Sequence, residues 1–518
     1  MRLSALAVVF ALSVAPALAA TQVTIPQGAL AGTTDGGISV FKDIPFAAPP
    51  VGDLRWRAPQ PAPSWSGTRD ASQYGDICLQ APGSGAGTLR EKHPESEDCL
   101  TANVWTPDTG GKKPVMVWIY GGSFRMGGAA VSLYDGMELA QHGVVVVTFN
   151  YRLGWFGFLD LPALAAEHPN EPHANYGLMD QIAALAWVKK NIASFGGDPG
   201  NVTIFGESAG GMSVNDLMVS PLARGLFNKA ISESGLGLID TPSEAEGQKA
   251  GADFANRMGA GSETGATQLK DLRARSAFTV QKDESAGEGG GFAPIVDGAL
   301  LPDGVAKLFS QGKIAPAAYM AGSNSDEATL MRAIGMSTDS MLKELGPHAA
   351  DVRKLYEVDG ALDDEAFARQ LFADGLFASG AQAFAHYATK AGEPAYVYNF
   401  RYLADALRGR EPGVGHGGEL IYVFGLHGLM QNPLGARLAS FATDKDKTIV
   451  ALTQNYWTNF AKTGDPNGQG QPVWPKSSVS APVTLVIDDK TSAVMGFRNA
   501  QLAVVYAHWL ARTGIALP

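Results

Sequence analysis

Asn201-Val202-Thr203-Ile204-Phe205-Gly206-Glu207-Ser208-Ala209-Gly210-Gly211 is a β-branched and aromatic run that breaks into the pattern G-x-S-x-G. It continues as Met212-Ser213-Val214-Asn215-Asp216-Leu217-Met218, whose spacing is helical. A strand turning this sharply into a helix admits only glycine or another small residue beside the turn, and it holds the serine hydroxyl out at the helix head. In a chain with 62 glycines among 518 residues the five-residue pattern alone would arise by chance about 0.5 times. The strand before it and the helix after it supply the context. Ser208 therefore reads as a nucleophile for acyl transfer, with an inert serine in a glycine-rich turn as the competing reading. The helix N-terminus adds its dipole and a free amide at Ala209.

Working outward, Val115-Met116-Val117-Trp118-Ile119-Tyr120 is a nearly continuous apolar run ending in Gly121-Gly122, the signature of a strand buried on both faces, and residues 144–149 form another. Residues 132–142 between them have helical spacing, and residues 178–188 carry apolar side chains at i, i+3, i+4 and i+7. Buried strands alternating with amphipathic helices predict an α/β fold: a large, mostly parallel central sheet flanked by helices. Residues 21–124 are β-rich; after the short apolar run 317–321 the pattern is mostly helical to about residue 391, and residues 395–400 form a further β run.

The composition is that of a globular chain: 45% hydrophobic, 18% charged, 40 Lys+Arg against 51 Asp+Glu for a net charge of −11. With no basic block, nucleic acid is not an expected partner. Residues 1–19 read as a secretory signal, with Arg2, an apolar stretch over 3–14, and a small-residue cleavage site at Ala17-Leu18-Ala19. No later stretch is long and apolar enough for a membrane anchor, so the expected product is exported, periplasmic or secreted. Residues 20–518 read as a single domain, since the glycine-rich stretches at 83–87 and 286–291 look like surface loops rather than linkers. In an oxidising compartment Cys78 and Cys99 suffice for one bridge, against the alternative of two buried thiols; closing a loop of about twenty residues adds roughly 3 kcal/mol.

A serine hydroxyl needs a base within hydrogen-bond reach and a carboxylate to hold that base in the right tautomer. Of nine histidines, His416 lies in the glycine-rich loop Gly413-Val414-Gly415-His416-Gly417-Gly418, while Glu327, with Asp326 as its rival, lies in a polar turn just after the run ending at Ala321. Catalytic groups in such sheets gather beyond the carboxyl ends of the strands. A second set of amides for an oxyanion falls in Tyr120-Gly121-Gly122-Ser123-Phe124, where paired glycines let the backbone approach a substrate.

These residues resemble one family, the type B carboxylesterases, across nearly the whole chain. The resemblance rests on Phe41-Lys42-Asp43-Ile44-Pro45-Phe46 through Gly52, Arg55-Trp56, Glu97-Asp98-Cys99-Leu100, Asn150-Tyr151-Arg152-Leu153-Gly154, Asn175-Tyr176-Gly177-Leu178-Met179-Asp180-Gln181 and the elbow itself. It implies an α/β-hydrolase fold, hydrolysis of small-molecule carboxylic esters, and no cofactor or metal. It makes Ser208 the nucleophile, Glu327 the acid and His416 the base, with oxyanion amides at Gly122, Ser123 and Ala209. It further implies Glu207 and Ser234 beside the triad, a Cys78–Cys99 disulfide, and structural ion pairs Arg55–Glu97 and Arg152–Asp180. Lipase-like or amidase action on the same triad is the alternative, with a non-catalytic binding module opposed by the intact Ser208, Glu327 and His416. Ser123 stands where many members carry a third glycine. No Phe, Tyr or Trp lies between Cys78 and Cys99, which removes the ring that binds choline in cholinesterases and argues against acetylcholine as a substrate.

Overall fold

A computed structural model of the chain describes residues 19–81, 91–286, 292–358 and 360–516. The expected signal, apart from Ala19, and the glycine stretches at 83–87 and 287–291 lie outside the described residues. The strands in chain order are β1 (Ala19–Ile25), β2 (Gly28–Asp35), β3 (Ile38–Pro45), β4 (Thr68–Asp70), β5 (Ile77–Cys78), β6 (Glu95–Ser96), β7 (Thr101–Thr106), β8 (Lys113–Ile119), β9 (Val145–Phe149), β10 (Gly197–Glu207), β11 (Lys229–Glu233), β12 (Ala318–Asn324), β13 (Ala395–Phe400), β14 (Val483–Ile487) and β15 (Ser492–Met495).

Among the described residues thirteen of these form one sheet in the order β1-β2-β3-β7-β9-β8-β10-β11-β12-β13-β14-β15, with β4 alongside β2. From β9 to β14 every neighbouring pair is parallel. Antiparallel pairs close both edges. The parallel strands are sequence-apolar without alternation because helices cover both faces: every residue of β9, β11, β12 and β13 is buried. Helix Ala209–Val219 packs on β10 and β11, Ser379–Lys390 on β12 and β13, and Asp444–Thr463 on β8 and β10.

Helical spacing at 178–188 lies inside the sixteen-residue helix Tyr176–Asn191. The helix expected over 132–142 is instead a 3-10 turn, Ser132–Tyr134, and a short helix, Met137–Gln141. The interruption has a packing cause. The backbone at Gly136 is pressed so close to Val146 and Trp105 that a Cβ would stand 2.8–2.9 Å from them, and the Asp135 carboxylate accepts from the Met137 amide (2.9 Å), restarting the helix. The helices between β12 and β13 build a second, smaller apolar cluster around Met331, Met341, Phe367 and Phe372.

Three tethers brace the chain around the sheet. Cys78 and Cys99 are joined, with Cα atoms 5.1 Å apart, and both are buried. Arg55 meets Glu97 through two bonds of 2.6 Å. Arg152, just after β9, holds Asp180 with Nε and Nη2 (2.8 Å each) and with its own amide (3.0 Å). Burial raises the Asp180 pKa and the guanidinium opposes that rise. Asp180 has no exposed surface, so removing it leaves a buried, uncompensated guanidinium. Asp180→Ala is expected to cost roughly 3–5 kcal/mol, read as a lower urea midpoint; a change below about 1 kcal/mol, the scale of an exposed pair, would show that the pair does not brace the fold.

Candidate active site

β10 delivers Ser208 to the carboxyl edge of the parallel strands, with φ 58° and ψ −124°. A non-glycine residue holds this conformation only under constraint from its neighbours. Here the constraint is backbone packing. A Cβ on Gly206 would lie 2.6 Å from both the Gly210 carbonyl and the Ile119 oxygen, and a Cβ on Gly210 would collide with Ile119 outright. The Ser208 amide donates to the Glu233 carbonyl (2.9 Å), pinning the turn to the end of β11.

His416 comes from the loop after β13 and Glu327 from the end of β12. The His416 Nε2 atom is 2.8 Å from Ser208 Oγ, and its Nδ1 is 2.6 Å from Glu327 Oε2. Glu327 is fully buried. Its other oxygen accepts from the Ser234 hydroxyl (2.6 Å) and the Asn324 amide (2.7 Å). The polar turn expected at Glu327 is the first residue of a 3-10 helix, Glu327–Ile334, and Thr329 in that helix accepts from the His416 amide (2.9 Å). Phe377 lies against the imidazole, ring centres 5.3 Å apart. Asp326 faces elsewhere: it takes both Arg369 Nε (3.1 Å) and Nη2.

The surroundings are acidic. Glu207 Oε1 lies 3.2 Å from His416 Nε2. Burial alone would lower the His416 pKa, but Glu207 and Glu327 outweigh it and raise it to about 9. Burial raises Glu207 in turn, against the pull of His416. Two further carboxylates lie behind these. Glu419 receives Asn324 Nδ2 and is pushed up to about 8 by burial and then by Glu207 and Glu327. Glu233 receives Trp457 Nε1 (2.9 Å) and is driven well up, chiefly by burial. Both are thus biased toward the neutral acid, which limits the negative charge beside the imidazole. The motif reading passed over Glu419, Glu233, Asn324, Thr329 and Phe377. Glu419 stands three residues beyond His416 and Glu233 directly precedes Ser234, so adjacency was the available signal for those two.

The loop after β8 faces Ser208. An ideal Cβ on Gly121 would sit 2.9 Å from Ser208 Cβ. Gly122, Ser123 and Phe124 all have positive φ, 113°, 56° and 56°, and the amides of Gly122 and Ser123 donate to no backbone carbonyl among the described residues. Ala209 opens the helix, where first-turn amides lack intrahelical partners. The Ser123 Cβ occupies space that glycine would leave clear.

A strand-to-helix elbow on a parallel sheet, with serine, histidine and glutamate in hydrogen-bond register, defines a hydrolase of the α/β-hydrolase fold. Comparison with known proteins narrows the class. Residues 19–505 match the carboxylesterase family, and the chain belongs to it. It is 37% identical over 469 residues to fumonisin B1 esterase of Sphingopyxis macrogoltabida, covering 87% of this chain and 83% of that protein. It is 36% identical over 491 residues to para-nitrobenzyl esterase of Bacillus subtilis, covering 90% and 95%. A solved PNB esterase structure superimposes with a TM-score of 0.79 at 34% identity, covering 93% of this chain and 99% of that one. The chain is a carboxylic ester hydrolase of the serine type.

The charge beside His416 sets a pH expectation. A general base must be neutral, so activity rises as His416 loses its proton. Removing the Glu207 charge takes away one of the anions that raise this pKa. Glu207→Gln is therefore expected to move the acidic limb of the kcat/KM profile downward by on the order of one pH unit, and a limb that stays put or moves upward would overturn that assignment.

Proposed function

We propose that the chain hydrolyses small-molecule carboxylic esters through an acyl-enzyme on Ser208. The observation that carries this is His416 held between Ser208 Oγ at 2.8 Å and Glu327 at 2.6 Å. His416 takes the hydroxyl proton as Oγ attacks the ester carbonyl, and Glu327 holds the imidazole by Nδ1 and stabilises it once charged. The amides of Gly122, Ser123 and Ala209 receive the developing oxyanion. His416 returns the proton to the departing alcohol, and water repeats the sequence on the acyl-enzyme.

Two relatives are named for esters other than choline esters, fumonisin B1 esterase and para-nitrobenzyl esterase, and this chain has no aromatic residue between Cys78 and Cys99 for a quaternary ammonium. Neutral esters are therefore the proposed substrate class, and choline esters are disfavoured by the absent cation–π contact, roughly 0.5–2 kcal/mol. Export is proposed on the composition of residues 1–19 and is consistent with a disulfide between Cys78 and Cys99; the N-terminal sequence of protein recovered outside the cytoplasm tests it.

Ser208→Ala is expected to abolish turnover of a short-chain nitrophenyl ester with the fold intact, and an organophosphate is expected to label Ser208. Labelling of another serine, with Ser208→Ala still active, would sink the assignment. Glu327→Gln is expected to lower kcat by a factor on the order of 10²–10⁴, and Asp326→Asn far less, because Asp326 faces Arg369 rather than His416. The reverse order would move the acid to Asp326.

A further inference from the structure

We propose that Asp160, His173 and Glu244 form a binding site for one divalent transition-metal ion, with zinc the best match, separate from the triad. One ligand atom from each residue lies within 4.8 Å of the others. His173 Nε2 stands 3.9 Å from Asp160 Oδ1 and 3.6 Å from Glu244 Oε1. Tetrahedral zinc, with bonds of about 2.0–2.2 Å, holds its ligand atoms roughly 3.3–3.5 Å apart. The two imidazole–carboxylate distances need to close by only a few tenths of an ångström, and the Asp160–Glu244 pair, within 4.8 Å, has to draw in around the ion.

The stand-off distinguishes this cluster from an ordinary ion pair. An imidazole paired with a carboxylate draws one oxygen into hydrogen-bond range, as His416 does with Glu327 at 2.6 Å. His173 instead faces two carboxylates and bonds to neither. The stronger observation is Asp160 itself, which is 1% exposed. Neither of its carboxylate oxygens, nor His173 Nε2, has a well-formed hydrogen-bond partner among the described residues. An unpartnered buried carboxylate is costly, and such groups are paired or coordinate a metal.

The neighbouring donors are occupied elsewhere. Asp160 lies against the first turns of helix Glu244–Arg257, where an ideal Cβ on Gly247 would sit 3.4 Å from Asp160 Oδ2. That turn caps itself: the Glu246 amide donates to Ser243 Oγ and the Gly247 amide to the Ser243 carbonyl (3.1 Å). The Leu161 amide lowers the Asp160 pKa only weakly; burial dominates, opposed by His173 and reinforced by Glu244 and Asp297, and carries it to about 6. Asp297 is committed to the amides of Ala299 and Leu301 and to Asn175 Nδ2 (2.9 Å each). Glu244 Oε1 also accepts from Gln248 Nε2 (3.0 Å), an exposed bond that leaves Oε2 available.

Imidazole nitrogen with two carboxylates suits zinc and its neighbours better than calcium or magnesium, which favour all-oxygen shells. The half-exposed Glu244 side leaves room for water as a fourth ligand. The ion would join three segments: the loop after helix Gly154–Phe158, the loop before helix Tyr176–Asn191, and the start of helix Glu244–Arg257. Asn175, two residues beyond His173, clamps the Ile295 backbone from both sides at 2.9 Å. Phe292 of the same stretch packs on Trp155 at 4.8 Å. The ion would tie these segments together and take no part in acyl transfer.

The test uses the full chain freed of metal by chelator dialysis and titrated with zinc chloride by calorimetry. The expected result is one ion per chain and a thermal midpoint that rises with zinc. His173→Ala and Asp160→Asn are expected to remove both effects, and Glu244→Gln to weaken binding at least about tenfold. Glu244 is exposed, so its variant keeps the test decisive if a buried variant fails to fold. Cobalt(II) added in place of zinc should give visible absorption bands that His173→Ala removes. Absence of a stoichiometric site, or binding that survives Glu244→Gln and His173→Ala unchanged, would overturn the proposal.

Discussion

The contact of the elbow with the end of β8 is the constraint on which the site depends. Gly206 and Gly210 bring two stretches of backbone against the Ile119 carbonyl more closely than any side chain permits. That approach holds Ser208 in a conformation that non-glycine residues rarely adopt. It also places Ser208 beside the Gly121–Phe124 backbone without any side chain acting as a spacer. The strain at Ser208 is tolerated because β8, β10 and β11 are packed parallel strands whose positions are set by the core rather than by the turn.

Around this geometry the chain assembles an unusual amount of buried acid. Glu207, Glu327 and Glu419 act on one imidazole, Glu233 lies behind Glu207 and Glu419, and none of the four is more than 6% exposed. Four ionised carboxylates there would be prohibitive at low dielectric. Their hydrogen-bond partners differ in a way that divides the labour. Glu327 receives three bonds, from His416, Ser234 and Asn324. Glu233 takes one side-chain bond from Trp457 and Glu419 one from Asn324, and burial pushes both toward the neutral acid.

The parallel strands and the elbow were legible because their requirements are local. Apolar runs announce burial on both faces, and Gly206, Ser208 and Gly210 announce a turn within five residues. Glu327 and His416 were legible through order and motif, their glycine-rich and polar settings being consistent but not sufficient. The split of 132–142 into a turn and a short helix was hidden, since it follows from Val146 and Trp105 pressing on Gly136, contacts that no local window contains. The convergence of Glu233 and Glu419 was hidden for the same reason. Each is an ordinary glutamate until strands β11 and β12 and the loop after β13 bring them to one point. Asp160 and His173 are likewise thirteen positions apart and carry no recognisable ligand spacing.

The three residues of the triad are separated by 208 and 89 positions in the pairs that touch. Such contacts close only after most of the sheet has been laid down, and long-range parallel pairing is the slow part of building a fold. A chain still emerging from the ribosome thus has Ser208 without His416 beside it. Chemical competence arrives last, as a property of the finished tertiary structure rather than of any one segment.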